Sequence, residues 1–242
     1  MGKLLDALFR KAGRTYGAAR WVFKSLAGTE EEAIAAEYAL GANLAREILA
    51  QMPVNDDPAR TESIRNTGKR LSQRLRQKQR RFNFYILNTP EINAFALPGG
   101  FILITGLLLD FCEMNEAEIA FVLGHEMGHV VKGHALDRLV ANSLIGVVAN
   151  LSPGGGIVGG LTRKTLVKLL YSTYSQDQEL EADLFGVRIM DAAGYDPKAA
   201  VSFMQRLKAR RQDSSASKLE KYFSTHPEHA ARLENLGQFF AP

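Results

Sequence analysis

The segment His125-Glu126-Met127-Gly128-His129 constrains this chain of 242 residues more than any other stretch. Its two histidines are four positions apart, and 3.6 residues per turn puts i and i+4 on one helix face. A helix is expected here, because Asn115 with Glu118 three residues on is a helix-start pattern. The run Ile119-Ala120-Phe121-Val122-Leu123 then buries that helix, so two histidines in its continuation need a reason. Both imidazoles can reach one zinc ion at about 2.0–2.1 Å. Glu126 projects beside them and can act as base toward a water. A pair of hydrogen-bonded core histidines is the plainer alternative.

A catalytic zinc takes three protein ligands and keeps a fourth position open. His134 is placed to point away from the metal, and the next position, Ala135, has no donor. The candidate third ligand lies downstream in Gln178-Glu179-Leu180-Glu181-Ala182-Asp183. Glu179 and Asp183 are again i and i+4 on one face. Glu179 can ligate while Asp183 accepts an N–H from a ligand histidine, fixing the ring and its tautomer. Glu181 points off that face. The alternative is a solvated acidic helix face. The single cysteine, Cys112, excludes an intramolecular disulfide and a thiolate cage, and its apolar neighbours Leu109 and Phe111 mark it as a core residue.

Along the chain, Thr29 with Glu32 opens a helix over 30–51 that stops before Pro53. Residues 61–80 read as a second helix, with Gly68 its weak point. Residues 82–87 read as a strand, and 93–97 and 101–105 as two more, joined at Pro98-Gly99-Gly100. The motif helix is expected to run past His134. The uncharged stretch 139–161 holds six glycines and Pro153, so an apolar helix to about 150 and a Gly-rich loop are expected rather than a membrane span. Residues 165–193 read as one long helix ending at Gly194. Asp196-Pro197 opens another, 213–217 is a polar linker, and a last helix starts near Pro227.

A net charge of +4 is unevenly spread. Residues 60–81 carry nine cations against Glu62, and residues 1–24 carry six against Asp6. Such segments suit a phosphate-bearing surface, although a solvated helix face is the plainer reading. Residues 1–24, 60–81 and 139–161 are therefore the candidate sites of peripheral membrane contact. Nucleic acid is disfavoured, because few aromatics interleave the cations before Phe82. No apolar signal-like run opens the chain. Either it is not exported, or a leader has been removed and it is periplasmic or membrane-associated.

His125-Glu126-x-x-His129 with Glu179-x-x-Ala182-Asp183 resembles the gluzincin zinc peptidases of the HtpX and CAAX-prenyl-protease type, and most closely their soluble, BepA-like branch. The likeness extends to Asn93 through Gly100, to Gly106-Leu107-Leu108, and to Ser224-Thr225-His226-Pro227 with Arg232. It implies an α+β, mainly α-helical, zincin-like fold with a small β-sheet edge beside the active-site helix. It implies one Zn2+ per chain held by His125, His129 and Glu179, with Glu126 catalytic. It further implies that His226 blocks the open position or stabilises the oxyanion, that Arg232 pairs with a site carboxylate, and that Asn93, Ala94 and Phe95 form an exposed edge for unfolded or extended polypeptide. Residues 1–55 would be a helical extension and 56–242 the peptidase domain. The expected activity is a zinc metalloendopeptidase of protein quality control. The alternative is a membrane-associated, chaperone-like binding module with a self-inhibited zinc site.

Overall fold

Three short strands are apolar on both sides, so each must be covered on both faces. The computed structural model describes residues 28–141, 163–212, 219–227 and 230–239. In it β1 (Asn83–Leu87), β2 (Ala94–Leu97) and β3 (Phe101–Thr105) form a sheet of order β1-β3-β2. β1 runs parallel to β3, and β2 antiparallel to it. Successive side chains alternate faces. Ile86, Ala96, Ile102 and Ile104 enter one core, and Leu87, Leu97, Phe101 and Leu103 enter another.

The second core is closed by α1 (Glu30–Gln51), α5 (His134–Ala141) and α6 (Arg163–Leu170). The first is closed by α2 (Pro58–Ser72), α4 (Glu116–Val131), α7 (Gln176–Ala192) and α8 (Lys198–Gln212), with α9 (Glu220–Thr225) and α10 (Ala230–Phe239) beside them. The short α3 (Gly106–Phe111) leads from β3 toward α4. The observed architecture is the α+β, mainly helical arrangement expected. Among the described residues, no helix is long and apolar enough to cross a membrane.

α1 starts at the Thr29/Glu32 capping box and ends at Gln51, as its sequence dictates. Glu37 on this helix is buried, accepts the Gly99 N–H at 3.0 Å and pairs with Arg80 at 3.0 Å. One carboxylate thus ties α1 to the β2–β3 connection.

Three helix expectations are corrected. The 61–80 helix ends at Ser72, where the Ser72 hydroxyl donates to Lys69 O and the Gln73 N–H bonds back to the same turn. Arg80 leaves helical geometry to reach Glu37. Gly68 is a packing site within α2: a Cβ there would fall 2.2 Å from the Phe84 ring. The motif helix stops at Val131, because Gly133 takes φ +85° and a new helix opens at His134. The 165–193 helix is two. Thr173 donates to Ser224 O, the Tyr174 N–H donates to Thr225 O, and Ser175 caps a fresh start with Gln178. The Gly-rich stretch, the 213–217 linker and residues 1–24 lie outside the described residues, except 139–141, which end α5.

α4 and α7 approach main chain to main chain. A Cβ on Gly186 would stand 2.9 Å from His125 N, and one on Gly128 3.1 Å from Ala182 Cα. Gly186→Ala is therefore expected to destabilise the fold by about 1–3 kcal/mol through overpacking. Gly237→Ala, with nothing within 4 Å among the described residues, should be neutral or slightly stabilising. Urea denaturation of both variants reads the contrast.

Candidate metal centre

The contact between α4 and α7 faces two histidines toward one carboxylate. His125, His129, Glu179 and His226 each offer a ligand atom, and these four atoms lie within 4.8 Å of one another. His125 Nε2 is 3.1 Å from His129 Nε2 and 3.6 Å from Glu179 Oε2. His129 Nε2 is 3.4 Å from Glu179 Oε1. His226 Nδ1 is 3.3 Å from His125 Nε2 and 3.0 Å from Glu179 Oε1. Bonds of about 2.0–2.1 Å at tetrahedral angles separate ligand atoms by about 3.3 Å. The donor set and its spacing both fit zinc.

Each donor is held from behind. Asp183 Oδ1 lies 2.8 Å from His125 Nδ1, so with Nε2 turned to the centre the Nδ1–H donates to the carboxylate. His129 Nδ1 lies 3.1 Å from His134 Nδ1, and its ring stacks on Tyr174 at 3.6 Å and 10°. Arg232 is buried and bonds both Asp183 oxygens at 2.7 Å, with Nη1 2.7 Å from Glu179 Oε2. It is the counter-ion of both carboxylates. Glu126 is 1% exposed; its Oε1 lies 3.4 Å from His226 Nε2, and its Oε2 has no hydrogen-bond partner among the described residues.

Burial alone would raise the Glu179 carboxyl, but the charges of His226 and Arg232 hold it well below the usual range. Burial likewise opposes the Asp183 charge, and Arg232 outweighs it. Burial drives His129 well below the ordinary imidazole value, which favours the neutral form that ligates metal. For His125, burial pushes down while the Asp183 bond and the Glu179 charge push up and prevail. Burial lowers His134 to about 4. The Cys112 thiol is pushed far up by burial, consistent with an inert core position.

The structure brings His125, Glu126, His129, Glu179, Asp183, His226 and Arg232 to one place. Glu181 stays outside it, exposed, 3.3 Å from Lys132 Nζ. His134, expected outside the ligand set and either at the surface or behind a ligand, backs His129. His229 lies outside the described residues. Asn93 adjoins the outer strand β2, which holds Ala94 and Phe95; their side chains are buried, with α4, α1 and α5 packed on β2. Asn93 Oδ1 accepts from Thr225 Oγ1 at 3.3 Å, next to His226. Sequence reasoning missed Tyr174 and Arg138, whose guanidinium lies 4.4 Å from the Tyr174 ring. An arginine between Ala135 and Leu139 on an apolar helix face was the available signal for the second.

Comparison with known proteins agrees with this centre. The model of peptidase family M48 matches residues 58–239. The beta-barrel assembly-enhancing protease of Yersinia pestis is 31% identical over 210 residues, 82% of this chain and 43% of that protein. Metalloprotease LoiP of Escherichia coli is 33% identical over 64% of this chain and 61% of its own length. The mitochondrial metalloendopeptidase OMA1 of Arabidopsis thaliana is 34% identical over 63% of this chain and 30% of that protein. The chain thus spans less than half the length of the assembly-enhancing protease it matches. With the family model covering all four residues that could hold a metal, the sequence match and the geometry coincide: the chain belongs to peptidase family M48, a family of zinc-dependent metallopeptidases.

Proposed function

We propose that the chain is a zinc metalloendopeptidase that hydrolyses unfolded or extended polypeptide, in the service of protein quality control. One observation carries this: His125, His129 and Glu179 stand at tetrahedral spacings, beside a buried Glu126 oxygen that has no hydrogen-bond partner among the described residues. Zinc bound by those three would supply Lewis acidity toward a scissile carbonyl and a water molecule. Glu126 takes a proton from the attacking water as the new C–O bond forms. It returns that proton to the amide nitrogen as the C–N bond breaks. Asp183 keeps the His125 ring in register, and Arg232 keeps Asp183 and Glu179 charged.

His226 stands within reach of the fourth corner. Its approaches of 3.0 and 3.3 Å to the Glu179 and His125 donor atoms support a blocking role in this conformation. His226→Ala is expected to keep its metal and to raise the cleavage rate of casein. A fall would favour the oxyanion role instead.

The test of the whole reading is metal analysis of protein purified without chelator. One zinc per chain is expected, falling well below one in His129→Ala. A metal-free wild-type protein would overturn the assignment. The quality-control role is supported by the assembly-enhancing protease and LoiP relatives.

A second reading, membrane association through the basic stretch, has one observation in its favour. Arg65, Lys69, Arg74, Arg76, Lys78 and Arg81 are all exposed. Sedimentation with anionic liposomes that falls steeply with salt would support it.

A further inference from the structure

Antiparallel pairing turns the main-chain groups of alternate residues to alternate sides of a strand. The Thr105 N–H donates to Asn93 O, so in the observed register Phe95 and Leu97 address β3. Ala94 and Ala96 therefore present their N–H and C=O groups to the outer edge of β2. Two of these four groups are already engaged. The Ala94 N–H donates to Asn93 Oδ1 at 2.9 Å, and the Ala96 C=O accepts from Arg138 Nη2 at 2.8 Å. Arg138 is 4% exposed, and its guanidinium also lies over the Tyr174 ring, which is stacked on His129.

We infer that Arg138 stands in for a substrate: its guanidinium N–H occupies the Ala96 carbonyl that a polypeptide main-chain N–H takes when it adds to β2 as a strand. This rests on the proposed cleavage of extended polypeptide. Strand addition draws its affinity from main-chain hydrogen bonds along an open edge. That edge is open at Ala96 only once Arg138 has left. The side chain suits this role, since a long flexible stem lets the head swing without moving α5. Asn93, short and fixed at the strand end, has no such freedom. Because one guanidinium covers both the Ala96 carbonyl and Tyr174, its departure uncovers the ring behind His129 as well.

The test uses the full chain, zinc-loaded, in a Glu126→Gln background, so that bound peptide persists. The probe is a fluorescein-labelled, reduced and carboxymethylated casein fragment read by anisotropy. Arg138→Met keeps the apolar stem and removes the donors. It is expected to bind the fragment roughly tenfold more tightly, since a charge-assisted bond no longer has to be broken. Unchanged or weaker binding by a folded, zinc-loaded Arg138→Met protein overturns the inference and leaves the peptidase reading standing. No binding by the parent either overturns strand addition, and the inference with it. Hydrogen exchange on the parent, with Arg138 intact, guards against a variant that fails to fold. On adding the fragment, protection should rise in 94–97, and unchanged protection there overturns it.

Discussion

Glu126→Gln is expected to abolish casein cleavage, with a rate loss of about 10²–10⁴-fold, and to leave the zinc stoichiometry intact. Glutamine matches glutamate in shape but cannot accept and return a proton. The residue is buried beside the donor cluster and is not itself one of the four groups that could hold a metal ion. Its Oε2 has no hydrogen-bond partner among the described residues, so the near-isosteric substitution breaks no bond there and the fold should persist. Fragment release by gel and zinc by elemental analysis, on the same preparation, check both halves. A variant that still cleaves removes Glu126 from the chemistry. One that loses zinc moves it from base to ligand support.

Arg232→Met carries the second large effect. Arg232 is 1% exposed and is the counter-ion of Asp183 and Glu179, at 2.7 Å from each. Methionine fills similar volume but leaves two buried carboxylates without their shared counter-ion. Breaking such a pair from one side costs about 3–5 kcal/mol. Bound zinc would neutralise part of that charge, so the loss should be larger in chelator-treated protein than in the metal-loaded form. Urea denaturation in both states measures the difference. A loss under about 1 kcal/mol in the metal-free form would show that Arg232 does not hold the carboxylates.

The metal centre was legible because its spacing is local. His125 with His129, and Glu179 with Asp183, are i, i+4 pairs, and helix geometry alone decides which side chains share a face. The strands were legible for the same reason, and so was α1, whose cap is written in Thr29 and Glu32. The breaks in the long helices were not. Residues 165–193 have a continuous helical pattern, and what interrupts it is distant: Thr173 and Tyr174 bond to the main chain of Ser224 and Thr225. Tertiary partners likewise decide the fate of Arg80, drawn to Glu37, and of Arg138, drawn to Ala96. Propensity carries no record of such partners. The side-chain burial of β2 was not legible, because what packs on it comes from distant helices.

The glycine contact between α4 and α7 has a bearing on ion choice. Backbone lies against backbone there, so little soft side-chain matter remains to compress or let out. The main chain thereby fixes how near the helix bearing Glu179 lies to the helix bearing the imidazole pair. Calcium needs about 2.3–2.6 Å and six to eight oxygens. Two helices held this close, offering three imidazoles and one carboxylate, do not supply those oxygens. Refusal of abundant hard cations thus follows from how near two helices are allowed to come.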